Sequence, residues 1–210
     1  LQTLTFNDAK WQKGPPDKII RLQKENIPAS KAISYRYQTF DMELSQDTWL
    51  KGVEIKPGNP KALHHIVLTN KATNTKSPIT KRLQHPYTDN YIALGGGASQ
   101  VTFFPKNTGV FLEKGTQLTV QIHYTPTGKE DSDETKIGFY YHQRPPDTQF
   151  YALSPSNLDF TIPPNTSNVR ISASDTISKA IYIHYVVPHM HYRGKAIKMT
   201  VVEPNGTRNE

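Results

Sequence analysis

The chain has 210 residues, a formal charge of +7, 35% apolar residues and no cysteine. That length allows one large or two small domains, and the lack of cysteine excludes a disulfide scaffold, a thiolate metal site and a thiol nucleophile. The lysines are scattered singly, without a basic run interleaved with aromatics, so nucleic acid is not an expected partner. No stretch approaches the roughly 18 to 20 apolar residues of a membrane helix.

Sixteen prolines, with many Thr, Ser and Asn between short apolar runs, predict a loop-rich all-β protein. Residues 1–30 read as an extended lead-in, with room for a turn or two of helix between Ile19 and Asn26. From Ser34 the period becomes two. Tyr35 and Tyr37 share one parity and Phe40, Met42 and Leu44 the other, and a bulge near Gln38 and Thr39 would bring all five to one face. Strands follow at Trp49–Ile55 and Leu63–Leu68. Thr69–Gly97 is weakly patterned and ends in a glycine elbow, Gly95 to Gly97.

Val101–Phe104 and Val110–Leu112 read as short strands. The clearest strand is Gln117–Tyr124, with Leu118, Val120, Ile122 and Tyr124 on one side and Thr119, Gln121 and His123 on the other. A polar loop, Thr125–Glu134, precedes a strand at Ile137–Tyr141. The expected architecture is two β-sandwich (jelly-roll-like) domains, the second incomplete: 31–146 and 147–210, divided near the prolines of Arg144–Ser156. Strands in the second are expected at Leu158–Ile162, Val169–Ser172, Ile181–Val187 and Ala196–Val202. Asn205-Gly206 then signals a hairpin whose returning strand has no room before Glu210, so the sequence reads as a piece of a longer protein.

Eight histidines are present. His64 and His65 are adjacent in an apolar strand, and on regular pleats they point to opposite faces; only a distortion lets them share an ion. His123 lies on the polar face of its strand, as a surface residue or as a ligand in an open cleft. His189 and His191, at i and i+2, project from one face of an extended segment and suit either a metal or an exposed strand. His85, His142 and His184 read as structural or surface residues. Three imidazoles with an open position could hold zinc that activates water; two separate histidine clusters suit redox copper at least as well.

Three motifs occur in order: Pro57-Gly58-Asn59 leading into Leu63-His64-His65-Ile66-Val67; Leu118-Thr119-Val120-Gln121-Ile122-His123-Tyr124; and Pro188-His189-Met190-His191-Tyr192-Arg193-Gly194. The set resembles the copper type II, ascorbate-dependent monooxygenases, the family of peptidylglycine α-hydroxylating and dopamine β-monooxygenases, and most of all their bacterial members. Similarity runs from about Trp11 to the end of the chain. The resemblance implies two sandwich domains, each with one copper: His64, His65 and His123 for an electron-transfer site, His189 and His191 for an oxygen-activating one. In the family a methionine completes the second site. Met199 sits too close after the pair to fill that role, so that ligand is expected beyond Glu210.

The resemblance further implies an extracytoplasmic oxidoreductase, periplasmic or secreted. It would act on a small-molecule substrate, with ascorbate or a fused or partner redox domain as reductant. This stretch alone is not expected to hydroxylate. Val187 stands where the peptide-amidating members carry a carboxylate-binding arginine, so a peptidylglycine substrate is not expected. Competing readings are a non-catalytic copper-binding electron relay, a β-sandwich interaction domain with incidental histidines, and a zinc hydrolase.

Overall fold

A computed structural model describes residues 10–30, 32–70, 91–96, 100–157, 159–190 and 193–210. Its regular structure is entirely β among those residues, as the short alternating runs require. In chain order the strands are β1 (Lys18–Arg21), β2 (Glu25–Ile27), β3 (Arg36–Asp41), β4 (Thr48–Lys56), β5 (Leu63–Asn70), β6 (Tyr91–Gly95) and β7 (Val101–Phe103). They continue with β8 (Thr108–Leu112), β9 (Gln117–Tyr124), β10 (Asp131–Asp133), β11 (Lys136–Tyr141), β12 (Thr148–Gln149), β13 (Val201–Val202) and β14 (Arg208–Asn209).

Two sheets form a sandwich. One has the order β1-β11-β4-β8-β12, with β7 also paired to β4; the other has the order β3-β9-β5-β6. The alternation in β9 explains why they stack. Leu118, Val120, Ile122 and Tyr124 are buried, while Gln117, Thr119, Gln121 and His123 between them are half-buried on the outer face. The inner residues meet Leu50, Val53 and Ile55 of β4, Ile66 and Leu68 of β5, and Ile137 and Phe139 of β11 in one core. Each such side chain contributes about 1.5–3 kcal/mol when taken from water.

The lead-in is extended, but it is built into the sheets rather than loose or helical. β1 pairs with β11 and β2 with β10, so the turn or two of helix considered for Ile19–Asn26 does not form. Ahead of β1, the backbone N–H of Gln12 donates to both oxygens of buried Glu54 at 2.9 Å, and Trp11 packs where Gly138 leaves no side chain. A buried carboxylate is tolerable because donors satisfy it.

The bulge expected near Gln38 and Thr39 is absent. β3 pairs with β9 in unbroken register from Arg36↔Ile122 to Asp41↔Gln117. Both parities are therefore kept: Tyr35 and Tyr37 are exposed on the outside, while Phe40 and Met42 pack inward. Nothing is gained by forcing five aromatic and apolar residues to one side when the sandwich offers a second face.

The chain divides into two compact units, Leu1–Ser174 and Asp175–Glu210. The sequence places its boundary at 146/147, yet β12 just beyond the prolines pairs in parallel with β8, and Phe150 stacks on Phe104 at 5.0 Å between ring centroids. Among the described residues of 151–200 no strand forms. The strands expected at Val169–Ser172 and Ile181–Val187 do not form, and the one expected at Ala196–Val202 is reduced to Val201–Val202; Leu158 lies outside the described residues. Alternation prepares a face, but a strand needs a neighbour to take its N–H and C=O groups. The Asn-Gly hairpin does form, and its return fits after all: Val201 pairs with Asn209 and Val202 with Arg208. Gly206, at φ +86, donates to Glu203 O at 2.9 Å to close the turn.

Candidate metal centre

Two adjacent strand residues cannot normally face the same way, and the pairing of β5 with β9 shows how this chain escapes that limit. Leu63 pairs with Tyr124 and His65 with His123, with a register shift between Leu63 and His65. His64 is the extra residue of a β-bulge. A bulge sets two residues against one and re-aims a side chain, so His64 joins His65 on the outer face opposite His123. Beyond it the alternation resumes, with Ile66 paired to Ile122 inward and Val67 to Gln121 outward.

The neighbouring strand accommodates the distortion. β6 reaches the bulge through Gly95, which pairs with Ile66, and Gly96, which has φ +139. A Cβ on Gly96 would lie 2.4 Å from His64 O and 2.7 Å from His65 Cα. The backbone can approach that closely only without a side chain. What reads in sequence as a flexible elbow is, at Gly96, a close contact that backs the bulge.

The three rings converge. His64 Nδ1 lies 3.3 Å from His123 Nδ1 and 3.1 Å from His65 Nδ1, and one nitrogen from each ring falls within 4.8 Å of the others. An uncharged imidazole nitrogen carries either one proton or one lone pair, so His64 Nδ1 cannot make a good hydrogen bond to both neighbours at once. A shared cation resolves this: nitrogens about 2.0–2.1 Å from a tetrahedral ion stand roughly 3.3 Å apart. The donor set and its spacing thus fit a metal ion. Imidazole donors suit copper, zinc, iron and nickel.

Protonation also favours binding. Burial, then the neighbouring His64, holds the His123 imidazole below its ordinary value of 6.5, against a hydrogen bond with the Ile33 backbone that acts the other way. The neutral, ligating form is the one preferred. His64 is exposed, and His65 and His123 are half-buried. The site therefore sits on an open face reachable by an ion or a redox partner. Tyr35 flanks it, its ring centroid 4.6 Å from that of His123 and 5.8 Å from that of His65.

The remaining histidines are placed differently. His189 is exposed in the second unit, outside any strand, and His191 lies outside the described residues, as does His85. His142 Nε2 meets Thr108 O at 2.9 Å, a structural bond. Two contributors to the site, Tyr35 and Gly96, have no role assigned by the sequence pattern. The signal for Tyr35 is the unbroken alternation of β3, which puts it on the outer face beside His123. The signal for Gly96 is a run of glycines, residues that allow the close approach the bulged histidine pair requires.

Neither the family models nor the curated proteins compared with this chain match it.

Proposed function

We propose that this chain is the copper-binding module of a type II, ascorbate-dependent monooxygenase, with His64, His65 and His123 holding the electron-transfer copper. One observation carries the reading: the bulge at His64 turns two adjacent histidines to the same side as a third, at ligand spacing. The choice of copper among imidazole-loving metals, and the oxygenase activity, rest on the ordered motifs. Copper bound there would supply one-electron redox chemistry. The chain's own part is to keep three neutral imidazoles converged and one side open to a reductant such as ascorbate or a partner redox domain. His189 and His191 would hold a second, oxygen-activating copper that faces a small-molecule substrate. An extracytoplasmic setting, periplasmic or secreted, accords with both the resemblance and a solvent-exposed copper site.

A second reading, a copper-binding electron relay without oxygenase activity, shares the first site. It is favoured by the contrast between a triad built on a complete sheet and His189, which stands where no strand forms among the described residues. Oxygen consumption coupled to ascorbate oxidation separates the two.

The test is copper stoichiometry and spin resonance for wild type and His123→Ala. Wild type should bind at the triad with a type II Cu(II) spectrum, and the variant should lose that signal. Unchanged binding in the variant, or retention of zinc when both metals are offered in equal amounts, contradicts the assignment.

A further inference from the structure

A bulge is one choice of register among others, and something must stop β5 from slipping by one residue to erase it. Slippage would place His64 opposite Tyr124 and turn its ring inward, away from His65 and His123. Burial of Leu63 resists this. A second restraint comes from Asp133, the last residue of β10. Its side chain is buried, and its two oxygens reach the turn that leads into β5 and the end of β9. Oδ1 accepts the backbone N–H of Asn59 at 2.6 Å, and Oδ2 accepts the Tyr124 hydroxyl at 2.9 Å and the Thr135 hydroxyl at 2.7 Å.

Two of these contacts lead toward a histidine. Tyr124 follows His123 directly in β9. Asn59 controls the entry to β5: its carbonyl accepts Ala62 N at 3.2 Å and Leu63 N at 3.0 Å, and Ala62 O accepts Thr125 N at 2.8 Å. Gly58 completes the clamp, since a Cβ there would meet the Glu134 backbone at 2.8 Å. One carboxylate thus fastens Leu63 against Tyr124, the last paired residues before the bulge, and the extra residue is trapped between that pair and His65↔His123.

We propose that Asp133 is the positioning residue of the histidine triad, fixing through Tyr124 and Asn59 the register that makes His64 converge with His65 and His123. This inference rests on the metal-binding reading of the triad. Asp133 touches no ring itself. It acts on the geometry of the ligands, as outer partners of metal sites do, whose loss costs roughly tenfold to a hundredfold in affinity.

The test uses the full chain, with copper as the probe. Copper affinity by competition titration, the Cu(II) spin-resonance spectrum and thermal unfolding are measured for wild type, Asp133→Asn, Tyr124→Phe and a control, Glu54→Gln. Glu54 is also a buried carboxylate, but it lies in β4 and accepts from the lead-in at Gln12 and from Tyr140 of β11. Asp133→Asn and Tyr124→Phe should each weaken copper binding by about tenfold or more and alter the spectrum. Glu54→Gln should lower the melting temperature while leaving affinity and spectrum as in wild type. If both clasp variants fold and bind copper with wild-type affinity and spectrum, or if Glu54→Gln weakens binding equally, the positioning role is wrong while the site stands. If wild type itself does not bind through His123, the metal reading fails and this inference with it. Should Asp133→Asn not fold, Tyr124→Phe, which removes one hydroxyl, decides the matter.

Discussion

The sandwich of residues 10–150 and the stretch 151–200 carry the same kind of sequence, and they end in different states. Both alternate apolar with polar residues between turn signals. In β9 the apolar set is fully buried, whereas Ile181, Tyr182, Ile183, Val186 and Val187 are all exposed. The difference is not propensity, since β-branched and aromatic residues fill both. It lies in whether another strand takes up the backbone groups and another sheet covers the face. The histidine triad follows the same division: its convergence needs a bulge, and a bulge exists only relative to a partner strand.

The largest effect that would sharpen this contrast is a pair of truncations. Leu118→Ala should cost about 2–5 kcal/mol, because it opens a cavity in the closed core. Ile183→Ala should change stability by under about 0.5 kcal/mol. Urea unfolding measures both; equal losses would mean that the two regions are alike after all. Next comes Gly96→Ala, which sets a Cβ against the His64 and His65 backbone at a φ that L residues avoid. It should cost about 1–3 kcal/mol and weaken copper binding, a coupling that separates a strained site from simple loss of stability. Gly206→Ala should cost about 1 kcal/mol or less and affect only the β13–β14 hairpin, as amide exchange at Val202 and Arg208 would report.

The smallest effect is on pH dependence. The folded chain holds His123 below the ordinary imidazole value. As pH falls through that ordinary value, the unfolded chain takes up a proton there that the folded chain resists. Without metal, stability at this residue is therefore unaffected at about pH 8 and declines toward about pH 5. His123→Ala should flatten that part of the slope; an unchanged slope would show that His123 is not the group responsible.

Strands with strong alternation are legible in the sequence itself. Gln117–Tyr124 has the limits that its pattern predicts, and the strands around Trp49, Leu63 and Ile137 extend only slightly past theirs. β1, β2, β6 and β10 are not legible, because they are short and are made strands by distant partners. The bulge is instructive in both directions. Apolar parity points to one at Gln38, where a second face makes it needless. The true one lies at His64, and its sequence trace is the conflict itself, two adjacent histidines that a regular strand must separate. Asp133 leaves no such trace, since its contact arises only when β10 folds back beside Asn59.

Three imidazoles from two strands converge at ligand spacing, and we propose that they hold one copper ion. X-ray absorption at the copper edge tests it most directly. For the chain with His189 and His191 replaced by alanine, the expected result is a shell of three imidazole nitrogens at about 2.0 Å. Replacing His64 as well should break that shell and release the ion. A shell without imidazoles, or one that persists unchanged without His64, would contradict the account.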